Sequence, residues 1–172
     1  MGARLRWLPF ELHPETPPEG APKPYSADQW PKVRERLIEL AEEVGLPIEP
    51  PQRNVNSRAA LEIGELVRER AGDEAQGRFH HDVSRAFFAE GADISKLDVL
   101  ARLTARYGVG GADVRSAWSM RRYRGAVDRA LEAGFRAGVT GVPAFGWDRG
   151  PAAAGMRDPE SLVEVLRMLR SR

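Results

Sequence analysis

The stretch Gly138-Val139-Thr140-Gly141-Val142-Pro143-Ala144-Phe145 marks the point at which the pattern of the chain changes. Before it, apolar residues recur at helical spacing across residues 26–138. From Val139 to Trp147, β-forming residues are mixed with glycine and one proline, and Asp148-Arg149-Gly150 then has the composition of a hairpin turn. We therefore predict a strand and a turn that follow a long helical block.

Helices are predicted on both sides of this stretch. Caps and glycine stops divide residues 26–138 into four or five helices. The first begins with the capping-box pattern Ser26-Ala27-Asp28-Gln29, although a cap at Asp28 would accommodate Pro31 better. The last of them opens at Asp113 and has a break near Ser119. After the stretch, Asp158-Pro159 is an N-cap followed by proline at the first helical position, which predicts a final helix.

The N-terminal part predicts one further strand. Leu8, Phe10 and Leu12 alternate with other residues between Arg4 and Leu12, and Pro9 places such a strand at a sheet edge or lies on its last paired residues. Ten of the 13 prolines fall between Pro9 and Pro51, so extended loops follow it. Two or three strands form a poor sheet for so many helices. The pattern is that of an α/β domain in which a strand is missing.

Composition excludes several classes of function. The 172 residues are enough for one compact domain and contain no cysteine, which excludes disulfides, thiolate nucleophiles and cysteine-built metal sites in this polypeptide. The formal net charge is +1, so nucleic acid is not an expected partner. Neither a signal peptide nor a membrane span is evident, which makes the cytoplasm the expected location.

Several motifs, in this order and at these separations, resemble the DsbA-like thioredoxin-fold family. The resemblance covers nearly the whole chain and is strongest to its FrnE-like branch, often described as dithiol-disulfide isomerases. Glutathione-dependent 2-hydroxychromene-2-carboxylate isomerases and kappa-class glutathione transferases belong to the same wider group. The matching segments are Trp7-Leu8-Pro9-Phe10-Glu11-Leu12-His13-Pro14, Pro18-Glu19-Gly20, Ala89-Glu90-Gly91-Ala92-Asp93-Ile94-Ser95, Gly138 to Phe145, and Gly155 with the helix from Leu162 to Leu169.

The resemblance implies a fold and a binding site. Residues 1–25 and 139–172 would form an incomplete thioredoxin-like part, and residues 26–138 a large helical insertion, within one compact domain. Thr140, Gly141, Val142 and Pro143 would form the family's cis-proline loop, with a cis Val142-Pro143 bond. The backbone of Val142 could then pair with an extended peptide or a thiol compound such as glutathione. A purely structural turn is the alternative for this loop.

The family's first strand and its Cys-x-x-Cys helix have no counterpart here, so the sheet would be incomplete at the N-terminus. We favour a misassigned or truncated start, in which case this chain is the binding half of a thiol-disulfide oxidoreductase. A rearranged sheet, or completion by another chain, would instead make it a redox-dead adaptor, paired through exposed sheet edges as a homodimer. A glutathione-dependent isomerase would need a serine upstream of Met1. No residue present is predicted to be catalytic.

Two other clusters are interpreted as solvated helix surface. Adjacent residues on a helix point about 100° apart, so His80-His81-Asp82 does not converge on a metal ion, and we predict no metal site. Arg121, Arg122 and Arg124 could receive an acidic ligand or nucleic acid, but a solvated face balanced by acidic residues is the preferred interpretation.

Overall fold

The computed structural model describes residues 5–146, 153–155 and 158–170, and these ranges are predominantly helical. None of the helices described is long and apolar enough to cross a bilayer. The helices are α1 (Gln29–Glu43), α2 (Arg58–Ala71), α3 (Asp73–Phe88), α4 (Leu97–Thr104), α5 (Gly111–Ser119), α6 (Arg124–Arg136) and α7 (Pro159–Arg170), and the strands are β1 (Ala21–Pro22), β2 (Arg53–Asn54), β3 (Ala144–Phe145) and β4 (Ala153–Ala154).

Helix α2 forms the centre of the helical block, where it packs against α3, α4, α5 and α6. Its apolar residues recur three and four positions apart, which brings Ile63, Leu66 and Val67 to the buried side. Burying each such side chain contributes about 1.5–3 kcal/mol. The residues that complete this core include Phe79, Ile94, Leu100, Val109, Val114 and Tyr123.

The break predicted near Ser119 is present, since α5 ends there and α6 begins at Arg124. The Arg122 N–H donates to the Ala117 carbonyl, and the Arg121 N–H donates to the Trp118 carbonyl, both at 3.0 Å. These paired bonds are the Schellman motif that commonly ends helices. The motif places its turning residue, here Arg121, in the left-handed region at φ 51°.

The capping box predicted at Ser26 and the cap predicted at Asp158 both form, whereas Asp28, the alternative cap for the first helix, makes no capping bond through its side chain. The Gln29 N–H donates to Ser26 Oγ at 3.2 Å, and the Ser26 N–H donates to Gln29 Oε1 at 3.0 Å, which is a reciprocal capping box. At the start of α7, the carboxylate of Asp158 accepts from the N–H and the hydroxyl of Ser161 at 2.8 and 2.7 Å. Local sequence therefore determines where these helices begin.

The strands form two short antiparallel pairs, β1 with β2 and β3 with β4. Gly20 precedes β1 with φ 80°, and a Cβ at this position would lie 2.5 Å from the Asn54 carbonyl oxygen. Only glycine fits so close to the neighbouring strand. The second pair connects across residues that include the predicted turn at 148–150, which lies outside the described residues.

The strand predicted over Arg4 to Leu12 is wrong for the residues described. Residues 5–12 have no strand, and their backbone makes no hydrogen bond with another described residue. The alternation is nevertheless real, because Pro9 and Glu11 are buried while Leu8 and Leu12 are 61% and 42% exposed. The segment is held by its side chains, since no neighbouring strand in the described structure pairs with it.

Candidate functional site

The predicted binding loop, residues 140–143, follows the C-terminal end of α6. The Val139 N–H donates to the Gly134 carbonyl and the Gly138 N–H to the Phe135 carbonyl, both at 3.0 Å. Gly138 turns the chain with φ 77°, as expected for a glycine-ended Schellman motif. Val139 is then buried and anchors the start of the loop.

The loop itself faces solvent. Thr140 and Pro143 are exposed, Gly141 is partly exposed, and Val142 is 49% exposed. The Val142-Pro143 peptide bond is cis. The Pro143 carbonyl accepts from the Gly155 N–H at 2.8 Å, which fixes the loop to the β3–β4 pair. The backbone N–H and carbonyl of Val142, next to a strand, make no hydrogen bond with another described residue.

The N-terminal segment packs against the C-terminal end of α6, where the chain enters the loop. A Cβ on Gly134 would lie 2.9 Å from the ring of Phe10 and 3.9 Å from Cβ of Val139. The Phe10 ring also packs edge-on against Phe135, with ring centroids 5.3 Å apart. Segment 5–12 and the loop therefore share the C-terminal end of α6.

The opposite end of α6 holds a cluster of charges around Arg58. Its guanidinium donates to Glu62 at 2.7 Å, to Glu11 at 3.2 Å and to Asp128 at 2.5 Å. A fourth bond, at 3.1 Å, goes to the Arg124 carbonyl. The side chains of Glu11 and Glu62 are only 5% and 6% exposed, so Arg58 supplies the partner that their buried charges need.

The electrostatics of the cluster favour charged Arg58. Its burial opposes the charged form, but the hydrogen bonds from Glu62, Asp128 and Glu11 outweigh that cost and raise the pKa of Arg58 above its usual value. Our sequence interpretation missed this cluster. The only local signal was the i, i+4 spacing of Arg58 and Glu62; Glu11 and Asp128 come from distant parts of the chain.

A cleft of about 580 Å³ opens beside this cluster. Two of the predicted solvated arginines, Arg121 and Arg124, line it. The third, Arg122, is paired with Glu69 at 2.6 Å and fits the prediction of a balanced surface. The other lining residues are Glu11, Pro14, Asn56, Arg58, Glu62, Trp118 and Ser119.

The histidine pair lies on α3 and contacts the N-terminal segment at Trp7. The His80 ring stacks on Trp7 with centroids 4.2 Å apart, and the His81 ring meets Trp7 edge-on at 5.7 Å. Desolvation, helped by the neighbouring His81, lowers the pKa of His80. The described residues contain no group of three or more His, Cys, Asp or Glu side chains that could hold a metal ion. The pair anchors the N-terminal segment to α3.

Comparison with known proteins gives concordant matches. The family model of the DSBA-like thioredoxin domain matches residues 1–167. The uncharacterized protein YwbO of Bacillus subtilis is 30% identical over 145 residues, which cover 82% of this chain and 70% of YwbO.

Two solved structures share the fold. A probable DsbA oxidoreductase from Streptomyces coelicolor superposes with a TM-score of 0.81 at 21% identity, covering 95% of this chain and 74% of that one. A putative protein disulfide isomerase from Nitrosomonas europaea superposes with a TM-score of 0.71 at 17% identity, covering 88% of this chain and 78% of that one. With its family model matched over residues 1–167, this chain belongs to the DsbA-like thioredoxin domain family.

Proposed function

We propose that this chain is a FrnE-like member of the family that binds extended peptides or thiol compounds, including glutathione, at Thr140–Pro143 and has no dithiol-disulfide exchange activity of its own. The observation that carries the proposal is the complete absence of cysteine from a chain of an oxidoreductase family. Exchange requires a thiolate that attacks a disulfide, and none of these residues can provide one. The proposal includes the cytoplasmic location expected from the sequence.

The loop supports binding through its backbone. Val142 is half-exposed, its peptide group has no partner among the described residues, and strand β3 follows immediately. An extended peptide recognises such an edge by adding main-chain hydrogen bonds, as in strand addition. The ligand would therefore be selected mainly by its extended backbone, with the Val142 side chain in a minor role.

Two assays test the two halves of this proposal. In insulin reduction with excess dithiothreitol, the chain should give no rate above the uncatalysed one, and clear acceleration would refute the claim that it is redox-dead. In NMR titrations, reduced glutathione or an extended peptide should shift amide signals around Val142. Val142→Pro removes the backbone donor and should abolish those shifts, whereas Val142→Ala keeps the donor and should retain them. Equal effects of the two variants would contradict backbone pairing.

A second candidate, an adaptor completed by another copy of the chain, is favoured by the N-terminal segment. Leu5, Leu8 and Leu12 are 67%, 61% and 42% exposed on a segment whose backbone is unpaired within the described structure. Exposed apolar side chains and unpaired backbone both favour strand pairing between chains. Analytical ultracentrifugation should then show a homodimer that Leu8→Lys dissociates, and a monomer at high concentration would rule this candidate out.

A further inference from the structure

The turn after α5 contains an arginine where the backbone favours glycine. Arg121 is the one non-glycine residue with positive φ in the described ranges, whereas seven glycines there adopt such angles. A residue in this turn needs the left-handed conformation, in which a Cβ is unfavourable. The backbone gives no reason for an arginine, and sterically costly residues of this kind cluster at binding sites.

Arg121 lines the cleft beside α6. Its side chain makes no ion pair or hydrogen bond with another described residue, although its neighbour Arg122 is tied to Glu69. Arg124 also lines the cleft, and its contact with Asp128 is long, at 3.9 Å. The two guanidinium groups are therefore available to a ligand.

The charges around the cleft limit how much negative charge a bound anion can carry. Three arginines and two glutamates line the cleft, and Asp128, which lies 2.5 Å from Arg58 and 3.9 Å from Arg124, balances the remaining positive charge. Glu11 and Glu62 are occupied by Arg58, but they remain negative and would repel a doubly charged ligand. A single carboxylate fits the planar guanidinium geometry without that repulsion.

The wall of the cleft adds an apolar contact. Trp118 is 36% exposed and lines the cleft together with Pro14. The volume of about 580 Å³ is in the range of small-molecule sites. We propose that this cleft binds a monocarboxylate with an apolar body, with Arg121 and Arg124 holding the carboxylate and Trp118 contacting the body. This site is separate in its residues from the loop at Thr140–Pro143.

The probe for this proposal is N-acetyl-phenylalanine, with its neutral amide as the matched ligand. Titration is followed by NMR at the Trp118 indole N–H. The acid should bind about tenfold or more tightly than the amide, since a charge-assisted bond of about 1.4 kcal/mol has this effect. Phenylacetate and a pentapeptide ending in phenylalanine distinguish a free acid from a peptide terminus, and the tighter of the two identifies the source.

The decisive variant is Arg121→Gly, because glycine suits the turn. It should weaken acid binding about tenfold while the melting temperature stays the same or rises, which separates a binding role from a structural one. Arg122→Ala removes an adjacent arginine outside the cleft and should change affinity less than about twofold. The proposal would be overturned if the acid and the amide bound equally, or if equimolar inorganic phosphate displaced the probe. It would also be overturned if Arg121→Gly kept its affinity, or if Arg121→Gly and Arg122→Ala lost the same affinity. Val142→Pro should leave binding of the acid to the cleft intact. Failure of the proposed loop site and failure of the proposed cleft site can therefore be told apart.

Discussion

The two ends of α6 are built from the same backbone turn and hold the N-terminal segment by opposite chemistry. Before α6 the turning residue is Arg121, and the neighbouring surface is the charge cluster around Arg58; after α6 it is Gly138, and the neighbouring surface is aromatic. Phe10 packs directly against α6, whereas its neighbour Glu11 pairs with Arg58 of α2, which in turn bonds Arg124 and Asp128 of α6. The backbone motif therefore fixes where the chain turns, with an arginine as the turning residue at one end of α6 and a glycine at the other.

The largest effect is expected at the charged end. Arg58→Met would leave the buried carboxylates of Glu11 and Glu62 without their partner, at a cost of about 3–5 kcal/mol in the free energy of unfolding. Urea denaturation measures this loss. Arg129→Ala, on the exposed face of α6, is the matched control and should change stability by less than about 0.5 kcal/mol. A loss at Arg58 no larger than at Arg129 would mean that the cluster does not hold this end together.

The aromatic end should respond to the addition of one methyl group. Gly134→Ala places a Cβ 2.9 Å from the Phe10 ring, and such overpacking costs about 1–3 kcal/mol, partly offset by the better helix propensity of alanine. The double variant with Phe10→Leu should recover part of the loss, which a double-mutant cycle measures. Additive effects would show that Phe10 does not rest on Gly134 in solution.

The sequence predicted local features of this molecule better than distant ones. The capping box at Ser26 and the Asp158-Pro159 helix start depend on neighbouring residues, and the structure confirms both. The strand at residues 4–12 needed a pairing partner that no local pattern can supply. The alternation of the segment predicts two faces, and the burial of its residues agrees. The local pattern does not show that Trp7 contacts His80, which lies more than seventy residues away in the chain.

The same limit applies to the candidate sites. The loop at Thr140–Pro143 was predicted because its residues are contiguous and resemble a family motif. The cleft was missed because its lining comes from the N-terminal segment, the start of α2 and the turn after α5. In the sequence, Arg121 is one of three similar arginines. The structure distinguishes it from Arg122, because Arg122 pairs with Glu69 and Arg121 lines the cleft.

Placing an arginine at Gly138, as at Arg121 in the other turn, tests the comparison of the two ends of α6 with a smaller expected loss of stability. Gly138→Arg puts a side chain into open space, since no atom lies within 4 Å of the added Cβ, so its cost is conformational and should be about 1–2 kcal/mol. Thermal unfolding should show a lowered melting temperature. Gly141→Arg controls for the added charge, because Gly141 has equally open surroundings but no positive φ. It should lower the free energy of unfolding by less than Gly138→Arg does. Equal costs would show that the left-handed turn is not what selects glycine after α6.

The smallest effect concerns the third contact that holds the N-terminal segment, the stack of Trp7 on His80. Histidine is the side chain whose ordinary pKa lies near neutral pH. Because the pKa of His80 is lowered in the fold by desolvation and by His81, the unfolded chain takes up this proton first as the pH falls. The stability from this group is therefore complete above about pH 6.5, decreases as the pH falls toward the lowered pKa, and is constant below it. His80→Phe keeps an aromatic ring on Trp7 and removes the titration, so urea midpoints at pH about 7.5 and about 5.5 should differ less in the variant than in the parent chain. Equal pH dependence in the two chains would contradict this prediction and would assign the response to groups other than His80.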